Sequence, residues 1–315
     1  MKKFASLKWA SSPEDIVFQH KWIKDLPSFL KDRYILKKCP IQIKEVSILK
    51  AHGYEVVLPV TREEVKGKSP EYIQNLMDKT IELLKENKVI VINPPREYGD
   101  KLSYFIKKAN GNSILPIFIL PAIIKAASRL NKDLKYVDVT IIDGQNAKTD
   151  LVLDILYPQL NYLNIVTSNL HRFKDKSIEI YEDVGLNLQI SSHNKKMVLG
   201  DSDIIIDCTD EPHIHFYHCK RNAVYFYIGN DNDTVKNILL KREDLIVIDD
   251  FILSVQNKKF TTSFCKMIWY VSKPWLNKIL SNKYDLESLN KIAKDIKRDG
   301  WKVEHFCQYG NIIKI

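Results

Sequence analysis

The run Val137-Asp138-Val139-Thr140-Ile141-Ile142 is apolar and rich in β-branched residues; it ends at Asp143-Gly144-Gln145-Asn146-Ala147-Lys148-Thr149 and passes into an amphipathic stretch. Strand, turn and helix in that order are the layout of a βαβ unit, and parallel strands joined through a helix fix the class of sheet that follows. In a dinucleotide-binding unit, glycines in this turn permit a tight bend, close approach of backbone to pyrophosphate and tight helix packing, with the anion at the helix N-terminus. Here Gly144 is the one glycine of the turn, and it is displaced. The spacing therefore predicts a kept fold with an altered phosphate cradle.

The surrounding sequence extends the pattern. Tyr162-Leu163-Asn164-Ile165-Val166-Thr167, Leu188-Gln189-Ile190, Asp203-Ile204-Ile205-Ile206-Asp207-Cys208-Thr209, Val224-Tyr225-Phe226-Tyr227-Ile228 and Leu245-Ile246-Val247-Ile248 read as further strands, with helical patterns between most of them. Continuous apolar runs suit parallel strands buried on both faces, so the fold class is α/β with a Rossmann-like, doubly wound parallel sheet. Before it, Ser69-Pro70-Glu71 marks a helix start, and residues 88–93 form a buried strand broken by Pro94-Pro95. The organisation expected is an N-terminal α/β domain at 1–110, a Rossmann-like domain at 111–250 and a C-terminal helical segment at 251–315. That last segment holds Thr261-Thr262-Ser263-Phe264-Cys265 as a capped helix start and a final amphipathic helix from Asp285 to Asp299, closed by Gly300.

With 45% hydrophobic and 28% charged residues, the composition is that of globular domains, which excludes a disordered or fibrous chain. The longest apolar run, residues 114–124, holds Pro116 and Pro121 and falls short of the roughly 20 residues of a membrane span. The basic N-terminus lacks an apolar segment behind it, and the five cysteines are odd in number and scattered without CxxC spacing; both suit a cytoplasmic protein with reduced thiols. A net charge of +9 favours an acidic partner. Its lysines are interleaved with acids, as in residues 291–299, which marks a solvated helix face rather than a nucleic-acid surface.

Cys265 is the candidate nucleophile. Thr261, Thr262 and Ser263 are placed to cap a helix whose first turn holds it beside Lys266, and a helix N-terminus and a cation both favour thiolate. The plain alternative is a buried small apolar side chain, the usual fate of a free cysteine. Asn169 and Arg172 follow the second strand, where an adenosine ribose is read and an arginine can take a 2′-phosphate; no acid suited to NAD stands there, so the cofactor expected is NADPH, with a surface arginine as the alternative. Gly144, Gln145, Asn146, Lys148 and Thr149 complete the cofactor set. Thr209, past the fourth strand, reads equally as cofactor-facing or as an ordinary turn residue. His213-Ile214-His215-Phe216-Tyr217-His218-Cys219 is dense in metal-binding types, but no second cluster completes it, and no metal site is expected.

From about Gly111 to Phe306 the chain resembles the aldehyde-forming long-chain acyl-[acyl-carrier-protein] reductases. Gly111-Asn112-Ser113 is similar to that family's Gly-Asn-Thr/Ser, Val166-Thr167-Ser168-Asn169-Leu170-His171-Arg172-Phe173 to its Val-Ala-Arg-Asn-x-x-Arg-Leu, Ser202-Asp203-Ile204-Ile205-Ile206 to its Ala-Asp-Ile-Val-Val, and Ser263-Phe264-Cys265 to its Phe-Ala-Cys. The closing helix through Asp299-Gly300-Trp301 resembles its His-Gly-Phe end. The resemblance implies that Cys265 attacks an acyl thioester on acyl carrier protein or coenzyme A, and that NADPH reduces the acyl-enzyme to an aldehyde.

The chain departs from that family at its Gly-x-x-Gly-x-x-Gly, where none of the three glycine positions is glycine. Ser168 replaces an arginine, and Asp249 to Val255 lacks the family's acid and histidine. Asp143 adds a carboxylate where pyrophosphate would lie, which repels an anion. Three functions follow: an acyl-thioester reductase, a cysteine acyltransferase or thioesterase without hydride transfer, and a non-catalytic Rossmann-like binding or scaffold protein.

Overall fold

The computed structural model describes residues 2–12, 22, 25–38, 41–95, 102, 106–109, 111–193, 195–276 and 286–314. Of the segments read from sequence, residues 96–100, 284 and 285 lie outside these. The chain divides into one unit of Met1–Asn110 with Ser263–Asn277 and another of Gly111–Thr262 with Lys278–Ile315.

The first unit runs β1 (Lys3–Ala10), α1 (Ser28–Lys38), β2 (Gln42–Ile48), β3 (Ala51–Thr61), α2 (Pro70–Glu86), β4 (Val89–Asn93) and β5 (Lys107–Lys108). Its sheet has the order β2-β3-β1-β4-β5, with β2 antiparallel to β3 and the other pairs parallel. Helix α2 starts as its sequence dictates: the Ser69 hydroxyl accepts the Tyr72 amide and Pro70 fills the first turn, where its missing N–H costs nothing. From there Ile73, Leu76, Met77, Ile81 and Leu84 recur at helical spacing and pack with Ala5, Leu7, Val56, Leu58 and Ile92 of the sheet. Each such side chain contributes about 1.5–3 kcal/mol of burial.

In the second unit, residues Gly111–Phe118 form a 3-10 helix containing Pro116 and lead into α3 (Ile119–Arg129). The combined stretch of 19 residues is long and apolar enough by composition to cross a membrane, and 61% of its 18-residue apolar window is buried inside the protein. Then follow β6 (Asp138–Ile142), α4 (Ala147–Leu156), β7 (Tyr162–Val166), α5 (Lys174–Val184), β8 (Gln189–Ser191), α6 (Lys195–Asp201), β9 (Ile204–Asp207), β10 (Val224–Tyr227), α7 (Asn232–Lys241) and β11 (Ile246–Ile248). These strands are parallel throughout and lie in the order β8-β7-β6-β9-β10-β11. Numbered within the sheet this is 3-2-1-4-5-6, the Rossmann arrangement, whose strand order reverses between β6 and β9. The α/β class expected from sequence is the one observed.

Residues 251–315 differ from the helical segment expected. They hold α8 (Thr262–Ser272) and α9 (Leu286–Asp299), but also most of β12 (Asp250–Val255), with β13 (Lys258–Thr261), β14 (Lys302–Gln308) and β15 (Asn311–Ile313), in an antiparallel sheet of order β13-β12-β14-β15. The physical reason is a period of two: Phe251, Leu253 and Val255 are buried while their neighbours are half-buried. Gln256 and Asn257 then take φ of 50° and 58°, the paired left-handed residues of a tight hairpin. Gly300, at φ 75°, closes α9 as its sequence position predicts.

Candidate functional site

Open α/β sheets take ligands beyond the carboxyl ends of their strands, at the point where strand order reverses. Here that crevice is framed by the turn after β6 and the loop after β9. The Asp143 amide still bonds the Val166 carbonyl, after which Gln145 turns the chain through a φ of 51° and Asn146 caps α4. The Asn146 side-chain oxygen accepts from the amides of Lys148 and Thr149, and the Gly144 amide donates to the buried Thr149 hydroxyl. These are the amides that would face a phosphate at a helix N-terminus. They are consumed within the turn.

The Asp143 side chain is wholly buried and fully engaged. One carboxylate oxygen accepts from the Gln145 amide and Arg172 Nη1, each at 2.8 Å, and the other from the Thr167 hydroxyl at 2.8 Å. The Nη2 of Arg172 donates to the Asn146 carbonyl at 2.9 Å and to both oxygens of Asp150 at 2.8 and 2.7 Å. The side-chain exposures of Asp143, Arg172 and Asp150 are 0%, 20% and 45%. This corrects the expectation for Arg172: its guanidinium, expected to read a 2′-phosphate, neutralises the very carboxylate expected to repel the pyrophosphate. Asp150 was not singled out from sequence, although it lies four residues after the helix cap.

Asp207, at the end of β9, organises the opposite wall. Its Oδ1 accepts from the Thr209 amide and hydroxyl at 3.0 and 2.7 Å, and its Oδ2 from Tyr225 Oη at 2.7 Å and His213 Nε2 at 2.8 Å. The His215 amide donates to His213 Nδ1, so the network assigns the His213 proton to Nε2. Thr209 is thereby a turn residue held on Asp207. Burial, reinforced by Asp207, pushes the Tyr225 phenol well above its usual range. Burial and then the neighbouring His213 pull His215 down to about 4, which leaves it neutral near pH 7. Among the described residues, no three metal-binding side chains gather.

The two walls are tied together. Asn146 Nδ2 donates to the Cys208 carbonyl at 2.9 Å, and Lys148 Nζ pairs with Asp210 at 2.7 Å, an oxygen that also accepts the Asn230 amide. A Cβ on Gly144 would sit 2.0 Å from the Cys208 carbonyl oxygen, so this glycine serves a backbone contact across the crevice. Gln145 Nε2 donates to the Ser168 hydroxyl at 2.9 Å, and the Asn169 amide to Thr167 Oγ1. Of the cofactor set read from sequence, the structure brings Gly144, Gln145, Asn146, Lys148, Thr149, Asn169 and Arg172 into one network, bonded to one another and to acids, and places Thr209 apart from it on Asp207. That donor set does not fit a pyrophosphate in the standard pose.

Cys265 belongs to the other unit, on α8. Its exposure is 0%, and burial pushes its thiol well above the ordinary range; Lys273 and Lys266 act in the opposite sense and do not offset it. The expected thiolate is therefore corrected: desolvation of the charged form exceeds what two cations return. Thr262, expected among the cap residues, gives its hydroxyl to Asp250 at 2.6 Å instead.

No protein-family model matches the chain, and no curated protein matches it. Among solved structures, Delta(1)-pyrroline-2-carboxylate reductase of Thermococcus litoralis, in complex with NADH and L-proline, is 16% identical over 38% of this chain and 42% of its own, with a TM-score of 0.25. L-tryptophan dehydrogenase from Nostoc punctiforme is 12% identical over 95% and 80%, at 0.34. Shikimate 5-dehydrogenase from Listeria monocytogenes, in complex with shikimate and NAD, is 8% identical over 94% and 96%, at 0.35. The chain spans less than half the length of the first of these. All three are dehydrogenases or reductases by name, none is an acyl-carrier-protein reductase, and at these scores the likeness assigns neither activity nor cofactor.

Proposed function

We propose that the chain is a Rossmann-type binding or scaffold protein that does not hold a dinucleotide in its strand-reversal crevice. The observation that carries this reading is the buried Asp143 carboxylate, bonded to Arg172, Thr167 and the Gln145 amide in the turn that would cradle pyrophosphate. Admitting a dinucleotide requires breaking a buried ion pair and the Asn146 and Lys148 ties to the β9 loop, while an uncompensated carboxylate repels the incoming anion. A net charge of +9 supports an acidic protein partner, of which acyl carrier protein is one kind, through steering of association.

One observation favours a second reading, NADPH-dependent reduction of an acyl thioester through Cys265: the strand order is the one that dinucleotide-dependent oxidoreductases use. That reading needs Arg172 released from two aspartates and a buried thiol exposed. The cysteine acyltransferase reading shares the second requirement. Titration of the protein with NADPH and NADH, followed by nicotinamide fluorescence, tests the proposal together with intact mass after incubation with acyl thioesters of several chain lengths. No saturable binding and no mass increase are expected. Micromolar NADPH binding, or stoichiometric acylation of Cys265, overturns the proposal.

A further inference from the structure

The second unit carries a groove at the end of its parallel sheet opposite the crevice. The crevice lies beyond the carboxyl ends of the strands, whereas this groove, of about 990 Å³, is drawn from residues 217–222 and 240–244, which lead into the amino ends of β10 and β11. Arg242 builds its frame. Nη1 donates to the Phe216 and Tyr217 carbonyls at 2.8 and 3.1 Å, and Nη2 to the Cys219 carbonyl at 2.9 Å. Nε and Nη2 donate to the two oxygens of Asp244 at 2.7 and 2.8 Å. The 3-10 turn His215–His218 is thereby held against the end of α7, and the Asn222 amide donates to the Asp244 carbonyl. The groove is thus formed before anything enters it, which lowers the ordering cost of binding.

The charges of the rim are less committed. Arg221 is exposed and makes no hydrogen bond or ion pair among the described residues; Asp244, on which its charge acts, is already bonded through both oxygens to Arg242. Lys241 is exposed too, with its ammonium 5.9 Å from the centroid of the Tyr217 ring. In all, Lys220, Arg221, Lys241 and Arg242 line the groove against Glu243 and Asp244, four cations to two carboxylates and so an excess of two positive charges. Beside them Tyr217 and Leu240 are 45% and 69% exposed, and the Tyr217 ring is braced by Phe216 with centroids 4.5 Å apart. The volume stands at the top of the roughly 300–1,000 Å³ of small-molecule sites, and walls of exposed side chains suit a length of chain better than a small ligand.

We propose that this groove docks an acidic segment of a partner protein, one that sets a large apolar side chain among carboxylates. The apolar side chain lies on Tyr217 and Leu240, and the carboxylates meet Arg221 and Lys241. Arginine and tyrosine are the residue types that interfaces favour, and acidic motifs are read by such cations. Glu243 opposes the partner's charge and sets a limit on how acidic a segment gains by binding here. The inference rests on the acidic partner of the proposed function and on none of the crevice residues, so nucleotide binding in the crevice would leave it standing.

The test is fluorescence anisotropy with the full chain and a short fluorescein-labelled peptide of glutamates flanking one leucine. Saturable binding that weakens as salt rises is expected. Arg221→Ser combined with Lys241→Ser weakens it about tenfold, Leu240→Ser weakens it severalfold, and Glu243→Gln tightens it. Lys135→Ser combined with Lys196→Ser removes the same net charge from exposed positions elsewhere on the unit and leaves binding within about twofold. Arg221→Glu combined with Lys241→Glu transfers binding to the peptide with lysines in place of glutamates, a gain that an unfolded variant does not show. Equal weakening by the two serine pairs, or binding that the Arg221 and Lys241 pair does not change, overturns the groove while leaving an acidic partner. No saturable binding of the glutamate peptide overturns both.

Discussion

Replacing Arg172 by methionine isolates the ion pair on which the closed crevice depends. The arginine donates to Asp143 at 2.8 Å, to the Asn146 carbonyl at 2.9 Å and to both oxygens of Asp150 at 2.8 and 2.7 Å. Asp150 is 45% exposed, so losing that half costs no more than about 1 kcal/mol. Asp143 is different: its side chain is 0% exposed, and without Arg172 its charge keeps, among the described residues, the Gln145 amide and the Thr167 hydroxyl. Breaking one partner of a buried pair costs about 3–5 kcal/mol, which for a unit of this size lowers the thermal midpoint by roughly 10 °C. Methionine keeps an aliphatic stem over Phe173, against which the guanidinium stands 5.1 Å from the ring centroid, so lost packing contributes little. The double variant Asp143→Asn with Arg172→Met removes the stranded charge as well, and it is expected to recover about 2 kcal/mol or more of the single variant's loss. Calorimetric unfolding of the four proteins of this cycle gives the coupling. Equal destabilisation of single and double variants, or a loss below about 1 kcal/mol in the single, refutes the reasoning.

Three further outcomes follow from the geometry. Gly144→Ala forces a Cβ to within 2.0 Å of the Cys208 carbonyl oxygen, and thermal unfolding is expected to show a loss of about 1–3 kcal/mol as the two crevice walls are pushed apart. Cys265 is expected to resist iodoacetamide at pH 8 in the native protein and to react at once in denaturant, since burial suppresses its thiolate; rapid native alkylation restores it as a nucleophile. Lys266 has a folded-state value of about 8, below the ordinary 10.5, so between those limits the unfolded chain binds more protons. Its cost to folding is therefore complete below pH 8 and vanishes as pH rises to 10.5. Lys266→Met is expected to stabilise the protein by up to about 3 kcal/mol at pH 7, with the gain fading across that window in urea titrations at several pH values.

Much of the Rossmann sheet was legible because its strands are continuous β-branched runs bounded by turns. Ile204, Ile205 and Ile206 are buried on both faces, as a central parallel strand requires. Strand order is set by long-range pairing and had no local signal beyond the parallel expectation. The hairpin at 250–261 was missed because the turn residues are Gln256 and Asn257 in place of the usual glycine. At the site, the added carboxylate was visible in the turn, but its partner stands 29 residues on, after another strand. Reading each charge alone produced a repelling aspartate and a phosphate-binding arginine; pairing them reverses both roles. For Cys265 the helix and neighbouring cations were read from sequence, whereas the burial that suppresses its thiolate depends on tertiary packing.

The central claim is that the amides of the β6–α4 turn are already bonded within the protein. Amide hydrogen exchange over residues 143–156, measured with and without millimolar NADPH, tests it where the cofactor would sit. Unchanged exchange at Gly144, Lys148 and Thr149 is the result expected. Protection of those amides that saturates with NADPH, and that is lost on competition with excess NADP, contradicts the account.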